Sequence, residues 1–205
     1  MKILMMGPQG SGKGTIGILL GASLNIPLIS VGDLLRELPQ THPRYNEVKK
    51  AMDAGQLVST ELLAGLIINR VGLDDCREGY ILDGWCRQEE DIDFFNPGFD
   101  KVIYLKISTQ TTIERLSTRR ICSVCGAVYN IVSKLPKIAG ICDICGGALV
   151  HRDDDKEEAI KKRLEIFTTQ TLPVINHFKE LGVLVDIDAE GSPKSILEAV
   201  LLAIK

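Results

Sequence analysis

The 205-residue sequence lacks any apolar run of membrane-spanning length, because its longest apolar stretches stop after about five or six residues. It also lacks a strong charge of either sign. The net charge is −3, so no global basic field would attract nucleic acid or an anionic membrane. The first residues carry one lysine and then an apolar strand, without the long apolar region of a signal peptide. We therefore expect a cytoplasmic monomer that binds neither membrane nor nucleic acid, with reduced cysteines unless they bind a metal.

Histidine is scarce as well. His42, His151 and His177 lie far apart in the sequence, and no carboxylate or nucleophile stands at a suggestive interval from any of them. The sequence therefore does not indicate a catalytic centre built around histidine.

Five short apolar segments, separated by helical patterns, predict the core of the protein. Apolar strands that alternate with helices are typical of a doubly wound parallel α/β sheet. The length and the hydrophobic content of 45% suit one core with a small insert. The predicted strands cover residues 2–6, 26–30, 79–84, 101–107 and 183–187.

Two segments do not fit a simple crossover between strands. Residues 33–58 are helical in pattern but are interrupted by Pro39 and Pro43, which predicts a small helical insert. Residues 119–155 are rich in glycine and cysteine and lack helical periodicity, which predicts an inserted subdomain. Helix returns after this subdomain, where Asp155 and Glu158 have the spacing of an N-cap and its capping box.

A glycine-rich turn follows the first strand and leads into the first helix. It reads Gly7-Pro8-Gln9-Gly10-Ser11-Gly12-Lys13-Gly14-Thr15. The glycines let the backbone curl round an anion, at which the N–H groups of the helix N-terminus point. Lys13 supplies a cation for the outer phosphates. Thr15 supplies a hydroxyl near the position of Mg²⁺, although the common pattern places it directly after the lysine. These residues in a strand–loop–helix context argue against a turn that binds nothing, and they predict a nucleoside triphosphate site.

Asp83 ends the third predicted strand, at the carboxyl edge of the sheet where the phosphate loop also lies. Ligands bind along this edge in open α/β sheets. A carboxylate here can hold Mg²⁺, usually through water, although an aspartate that only caps the next turn would have the same position. The phosphate loop favours the metal role.

Six arginines stand at strand ends and at the borders of the inserts. Any one of them could simply be solvated, but together they suit the transfer of a phosphoryl group, whose transition state spreads negative charge over several oxygens. Arg115 and Arg119 have i, i+4 spacing, which predicts that both lie on one helix face beside the insert. The full set is Arg36, Arg87, Arg115, Arg119, Arg152 and Arg163.

Four of the six cysteines fall into two C-x-x-C pairs, Cys122 with Cys125 and Cys142 with Cys145. This doubled spacing predicts a closed tetrahedral zinc site with four thiolates, and such a site is structural because no position is left for a substrate. Two dithiol redox pairs or an iron–sulfur cluster are the alternatives. A zinc ribbon often binds nucleic acid, but this one lacks an aromatic and basic array.

The motifs, taken in order along essentially the whole chain, resemble those of the nucleoside monophosphate kinases, and within them the adenylate kinases with a zinc-bearing lid. Besides the phosphate loop and the cysteines, the resemblance rests on the stretches Ser30-x-Gly32-Asp33-Leu34-Leu35-Arg36, Leu82-Asp83-Gly84-x-x-Arg87, Glu114-Arg115-Leu116-x-x-Arg119-Arg120 and Arg152-x-Asp154-Asp155.

The resemblance implies a P-loop NTPase core (residues 1–29, 60–117 and 156–205), a monophosphate-binding flap (30–59) and a zinc-bearing lid (118–155). It implies reversible, Mg²⁺-dependent phosphoryl transfer from ATP to AMP, with small-molecule nucleotides as the partners. The implied catalytic residues are Lys13, Arg87, Arg119, Arg152 and Arg163. The implied ATP-binding residues are Gly10, Ser11, Gly12, Lys13, Gly14, Thr15, Arg115 and Arg119. The implied monophosphate-binding residues are Val31, Arg36, Leu57, Val58, Gly84, Arg87, Asp91, Arg152 and Arg163.

Departures from the family pattern concentrate in the monophosphate pocket. Val31 stands where the family usually has threonine, and Asp91 stands where it has the glutamine that reads adenine. A glutamine amide both donates and accepts hydrogen bonds, whereas a carboxylate only accepts. AMP is the expected acceptor, and GMP, UMP or CMP is the alternative. A nucleotide-binding zinc-ribbon protein without catalysis is the alternative from another class.

Overall fold

A computed structural model of the chain describes the backbone of residues 1–205 and every side chain except that of Asp153. Five parallel strands form the central sheet, in the order β2-β3-β1-β4-β8, which confirms the predicted fold class. The strands in chain order are β1 (Lys2–Met6), β2 (Leu28–Ser30), β3 (Tyr80–Asp83), β4 (Lys101–Lys106), β5 (Arg119–Cys122), β6 (Val128–Asn130), β7 (Leu149–Val150) and β8 (Leu184–Asp188).

Helices cover both faces of the sheet, so the central strands are buried on both sides. In β1, Leu4 and Met6 join one hydrophobic cluster, and Ile3 and Met5 join the cluster on the opposite face. This is why the strands have continuous apolar runs rather than alternating ones. The helices are α1 (Lys13–Leu24), α2 (Val31–Arg36), α3 (Tyr45–Asp53), α4 (Thr60–Val71), α5 (Glu90–Phe94), α6 (Thr109–Ser117), α7 (Glu157–Ile166), α8 (Leu172–Glu180) and α9 (Pro193–Ala203).

No helix in the described part of the chain combines the length and the apolar character that crossing a membrane requires.

The segment between β2 and α4 forms the predicted helical insert, with α2 and α3 separated by a stretch that contains Pro39 and Pro43. The end of this insert rests on α7. A Cβ atom added to Gly55 would lie 2.7 Å from the carbonyl oxygen of Ala159, and the φ angle of Gly55 is +68°. Only glycine combines this backbone conformation with such a close approach. The insert is therefore folded down against the core.

The cysteine-rich segment forms a separate antiparallel sheet in the order β6-β5-β7. Tyr129 on β6 is buried with Cys122 and Cys142 in a small cluster of its own. This sheet is too small for a substantial hydrophobic core, so cross-linking through the cysteines is its natural means of stabilisation.

A nearly continuous helical rod leads back from the cysteine-rich segment into the core. Between α7 and α8, the residues Phe167–Thr171 form a π-helical turn. The prediction that Asp155 caps α7 is wrong, because Lys156 occupies the N-cap position and makes no capping bond through its side chain. The carboxylate of Asp155 is instead buried against arginines, and an ion pair across the fold has replaced the local cap.

Candidate active site

The phosphate loop joins β1 to α1, and its lysine folds back over it. Lys13 Nζ donates to the carbonyl oxygens of Gly7 at 2.8 Å and Pro8 at 2.9 Å. Gly12 is the N-cap of α1 with φ of +93°, and no side chain caps this helix. The free N–H groups of the first turn therefore remain available to an anion. The other residues predicted to bind the triphosphate lie on this loop and first turn: Gly10, Ser11, Gly14 and Thr15.

Asp83 lies at the carboxyl end of β3, paired in the sheet with Met5 of β1. A Cβ atom added to Gly14 would lie 3.9 Å from Asp83 Oδ2, so the carboxylate faces the start of α1. Burial raises the pKa of Asp83, while the charges of Lys13 and Arg87 act to lower it. Burial also lowers the pKa of Lys13 to about 8, against the attraction of Asp83. A carboxylate and an ammonium group thus share a poorly hydrated site beside the loop.

Three arginines converge on Lys13 from separate parts of the chain. Arg87 follows β3, Arg119 begins β5 and Arg163 lies on α7. The charges of all three act to lower the pKa of Lys13. So many cations held near one another indicate a site made to bind several negative charges at once.

Arg87 is fixed from three sides. Its Nε donates to the carbonyl oxygen of Gly84 at 3.1 Å, and its own carbonyl oxygen accepts from Thr171 Oγ1 at 2.8 Å. Its backbone N–H donates to Asp91 Oδ2 at 2.7 Å. A Cβ atom on Gly84 would lie 3.0 Å from Arg87 Nη2 and 3.5 Å from Val31 Cβ. The predicted acceptor residues Val31, Gly84 and Arg87 therefore lie together.

Two aspartates hold the remaining arginines where the lid meets the core. Arg119 makes a bidentate pair with Asp155, at 2.7 Å from Nε to Oδ2 and 2.5 Å from Nη2 to Oδ1. Arg152 makes a second bidentate pair with Asp154, at 2.8 and 2.7 Å. Arg163 contacts both carboxylates. Burial acts to raise the pKa of Asp154, but Arg163 and Arg152 outweigh it and hold that pKa below its usual range.

Arg163, which contacts both aspartates, also has a shifted pKa because it is buried. Burial lowers the pKa of Arg163 to about 9, although the charge of Asp154 opposes the change. Asp154 and Asp155 therefore neutralise these arginines when no ligand is bound, and a polyanion could form the same kind of bidentate hydrogen bond with them.

The prediction that Arg115 and Arg119 share a helix face is wrong. Helix α6 ends at Ser117, so Arg119 belongs to the first strand of the small sheet. Arg115 Nη1 donates to the carbonyl oxygen of Gly10 at 3.3 Å, and its Nη2 donates to that of Ala189 at 3.0 Å. Arg115 thus borders the phosphate loop, whereas Arg119 faces the other arginines.

Two cavities mark the space between these groups. A small one of about 20 Å³ lies between the loop and the acceptor side, lined in part by Gln9, Lys13 and Arg87. A larger one of about 270 Å³ lies between the flap and the lid, with Arg36 and Arg152 on its walls.

The four paired cysteines meet at one point, and their Sγ atoms all lie within 4.8 Å of one another. Cys122 and Cys145 are 3.4 Å apart, and Cys125 and Cys142 are 3.6 Å apart. A tetrahedral zinc site with Zn–S bonds of about 2.3 Å has sulfur–sulfur edges of roughly 3.8 Å. Hydrogen bonds from the backbone N–H groups of Cys125 and Val124 help to lower the pKa of the Cys122 thiol. The donors and their spacing fit a four-thiolate metal site.

Comparison with known proteins agrees with this geometry. The sequence model of the family described as adenylate kinase matches residues 5–183. The chain is 42% identical to an adenylate kinase of Methanocella arvoryzae over 100% of this chain and 99% of that protein. It is 41% identical to one of Caldicellulosiruptor saccharolyticus over 90% of each chain, and 35% identical to one of Clostridioides difficile over 100% of this chain and 98% of that protein.

The chain belongs to the adenylate kinase family. The resemblance of its motifs to nucleoside monophosphate kinases is thereby confirmed, as is the prediction of a phosphotransferase.

The acceptor residues that the resemblance implies in the helical insert have different surroundings. Val31 and Val58 are buried, and Leu57 is half-buried. Arg36 donates to Asp33 Oδ1, at 2.6 Å from Nη2. Val31 and Val58 belong to the same hydrophobic cluster, and Arg36 lies on the wall of the larger cavity.

Asp91 has partners that the sequence did not indicate. It is 3% exposed, and its Oδ1 accepts from Thr60 Oγ1 at 2.8 Å. Its Oδ2 accepts from the backbone N–H groups of Arg87 at 2.7 Å and Gln88 at 3.2 Å. Both oxygens are thus engaged by Thr60 and by the loop that carries Arg87, whereas the resemblance implied only that Asp91 belongs to the monophosphate pocket. The neighbouring glutamine, Gln88, donates from Nε2 to Thr60 Oγ1 at 2.7 Å.

Other contributors to this adenylate kinase site were missed because their signal is tertiary. Thr171 reaches Arg87 from the π-helical turn, and Glu190 accepts from the backbone N–H of Ser108 at the N-terminus of α6 at 2.7 Å. Gln9 lies within the recognised loop but has no assigned role in its pattern. The motif could have directed attention to Gln9, whereas no local pattern points to Thr171 or Glu190.

Proposed function

We propose that the protein catalyses reversible, Mg²⁺-dependent transfer of the terminal phosphoryl group of ATP to AMP, giving two ADP. The observation that carries this proposal is that Lys13 and Arg87 line one small cavity, while the charges of Arg119 and Arg163 also act on Lys13. A donor loop alone would need one lysine. Cations that face it from the acceptor side, the lid and α7 suit a group that passes between two phosphates.

The roles of individual residues follow from their positions. The loop and Lys13 would hold the triphosphate, and Arg115 would contact its base from beside Gly10. Arg36 and Arg87 would hold the acceptor phosphate, next to Val31, Leu57, Val58 and Gly84. Arg119, Arg152 and Arg163 would surround the transferring group. Asp83, together with the Thr15 hydroxyl, would hold Mg²⁺ through water, and this ion supplies positive charge that offsets the charge of the phosphates.

No side chain has to act as a covalent nucleophile in this reaction, because a phosphate oxygen of the acceptor attacks the terminal phosphorus directly. The work of the chain is to align donor and acceptor and to exclude water, since water would otherwise take the phosphoryl group. We assign alignment of the acceptor to the flap (30–59) and exclusion of water to the lid (118–155).

We further propose that the four cysteines bind zinc and that its role is structural. All four positions would be filled by thiolates, and the bonds would tie the turn after β5 to the turn before β7. A cytoplasmic monomer that acts on free nucleotides completes the proposal.

An assay that couples ADP formation to a colour change, with ATP and each monophosphate in turn, tests the function. We expect ADP with AMP as acceptor and little with GMP, UMP or CMP. Lys13→Ala serves as the inactive control. If no monophosphate raises ADP formation above this control, the kinase proposal fails. If another monophosphate is preferred, that nucleotide and not AMP is the acceptor.

A further inference from the structure

Gln9 carries a buried polar atom that the described residues leave without a hydrogen-bond partner. Its Oε1 is in this state, together with Ser11 Oγ and Thr112 Oγ1. All three lie in or against the phosphate loop, since the backbone of Thr112 packs on Gly10. Buried polar atoms without partners are rare because each costs free energy, so such a group calls for an explanation.

The position of Gln9 sets it apart from the other two. Gln9 lines the small cavity of about 20 Å³ together with Lys13 of the donor loop and Arg87 of the acceptor side. A space of this size holds about one water molecule. Gln9 therefore borders the small cavity that Lys13 and Arg87 also line.

We propose that Gln9 is a catalytic residue, whose amide donates an N–H to the phosphoryl group as it crosses from donor to acceptor. This inference rests on the proposed function and deepens it. Oε1 has no partner in its present position, and rotation of the amide by 180° would exchange Oε1 and Nε2 and place an N–H donor there.

The reaction itself needs no proton from Gln9. A lone pair on the acceptor phosphate oxygen forms the new P–O bond, and the electron pair of the breaking P–O bond leaves with the bridging oxygen of the donor. The charge meanwhile spreads over the three equatorial oxygens. A neutral N–H donor stabilises these oxygens without another positive charge in a site where Lys13, Arg87 and Arg163 already repel one another.

The competing explanation is that Gln9 only shapes the turn and that a water satisfies its amide. The two explanations differ in the step they affect. A shaping role changes how well the loop binds ATP, whereas contact with the moving group changes the transfer rate with ATP binding unchanged.

Single-turnover rapid quench of the full-length enzyme with ATP and AMP measures the transfer step, apart from product release or lid opening. We expect Gln9→Ala to slow transfer about tenfold, as the loss of one hydrogen bond made in the transition state predicts, with the Kd for ATP within about twofold of the wild type. Gln110→Ala, at an exposed glutamine of α6 outside the flap and the phosphate loop, should match the wild type.

Gln9→Glu gives a readout that a shaping role would not produce. A charged carboxylate should repel the phosphoryl group and slow transfer about 100-fold at pH 8.

Two results would overturn the inference: a transfer rate for Gln9→Ala within twofold of the wild type, or a transfer rate for Gln9→Glu within tenfold of the wild type. The wild-type rate of ADP formation tests the proposed kinase activity separately. Failure of the Gln9 inference is therefore distinguishable from failure of the kinase proposal.

Discussion

The hydroxyl of Thr60 donates to Asp91 Oδ1 at 2.8 Å, and both side chains are buried. Thr60 begins α4, directly after the flap, while Asp91 holds the backbone N–H groups of Arg87 and Gln88. This pair therefore connects the base of the flap to the loop that carries an acceptor arginine. The carboxylate serves as a fixed acceptor for three donors.

We expect Asp91→Gln to destabilise the protein, because the amide cannot accept from all three donors as the carboxylate does. The loss should be about 2–3 kcal/mol, within the range for hydrogen bonds to buried charged groups. Urea denaturation measures it, and Asp93→Gln on the exposed side of α5 is the matched control.

The same variant tests whether Asp91 reads the acceptor base. Because both carboxylate oxygens are engaged, we expect the ratio of kcat/KM for AMP to that for GMP to stay within about threefold of the wild type. A tenfold change in this ratio would return Asp91 to the base pocket.

The buried pair of Arg119 and Asp155 predicts a second stability effect. Asp155→Asn leaves the partly buried guanidinium of Arg119 without its counter-charge, so we expect the protein to lose about 3–5 kcal/mol of stability. If the small sheet unfolds separately, only that part of the chain should be destabilised. Thermal melting and protease digestion together measure it. Glu157→Gln, which breaks only an exposed pair with Lys161, should leave the melting temperature close to that of the wild type. Equal effects of the two substitutions would contradict the burial argument.

Metal content provides a third prediction. Elemental analysis of the purified wild type should find about one zinc per chain, since four thiolates form one closed site. Cys142→Ser combined with Cys145→Ser should release it, lower the melting temperature and leave the core folded, because the small sheet is separate from the central one. Wild-type protein without zinc would remove the metal assignment.

ATP binding should weaken at alkaline pH. The pKa of Lys13 is lowered to about 8 in the nucleotide-free protein, and a bound polyanion favours the charged form. Above pH 8 the lysine is mostly neutral, so binding must take up a proton. The Kd for ATP should then rise by up to about tenfold per pH unit between pH 8 and 10.

Calorimetry in two buffers of different ionisation enthalpy measures this proton uptake. Lys13→Arg supplies the control, because its guanidinium stays charged over the same range and should bind ATP, however weakly, without the slope. A wild-type Kd that does not change with pH would show that Lys13 keeps its proton when the site is empty.

The sequence predicted what is encoded locally. The strands of the central sheet, the phosphate loop and the cysteine pairs each have a contiguous signal of hydrophobic run, glycine spacing or C-x-x-C. Asp155 shows where this reasoning stops, since its spacing to Glu158 fits a cap and yet an arginine 36 residues earlier takes its carboxylate.

The surroundings of Arg119 and Asp91 could not be predicted for a related reason. The i, i+4 spacing of Arg115 and Arg119 assumes that the helix continues, but it ends at Ser117. Asp91 was judged by the residue the family has at its position. Its partner Thr60 lies 31 residues away, beyond the reach of any pattern in a single sequence.

The π-helical turn Phe167–Thr171 sets the rotational phase between α7 and α8. One extra residue in a turn shifts every later side chain by about 100° around the axis, so the two halves of the rod present their faces in different directions. Arg163 of α7 can therefore face the lid aspartates while Thr171 holds the carbonyl oxygen of Arg87. Deletion of one residue from this turn would keep the chain helical but would rotate the side chains of α8 away from the core. The number of residues between α7 and α8 is therefore more strictly constrained than their identity.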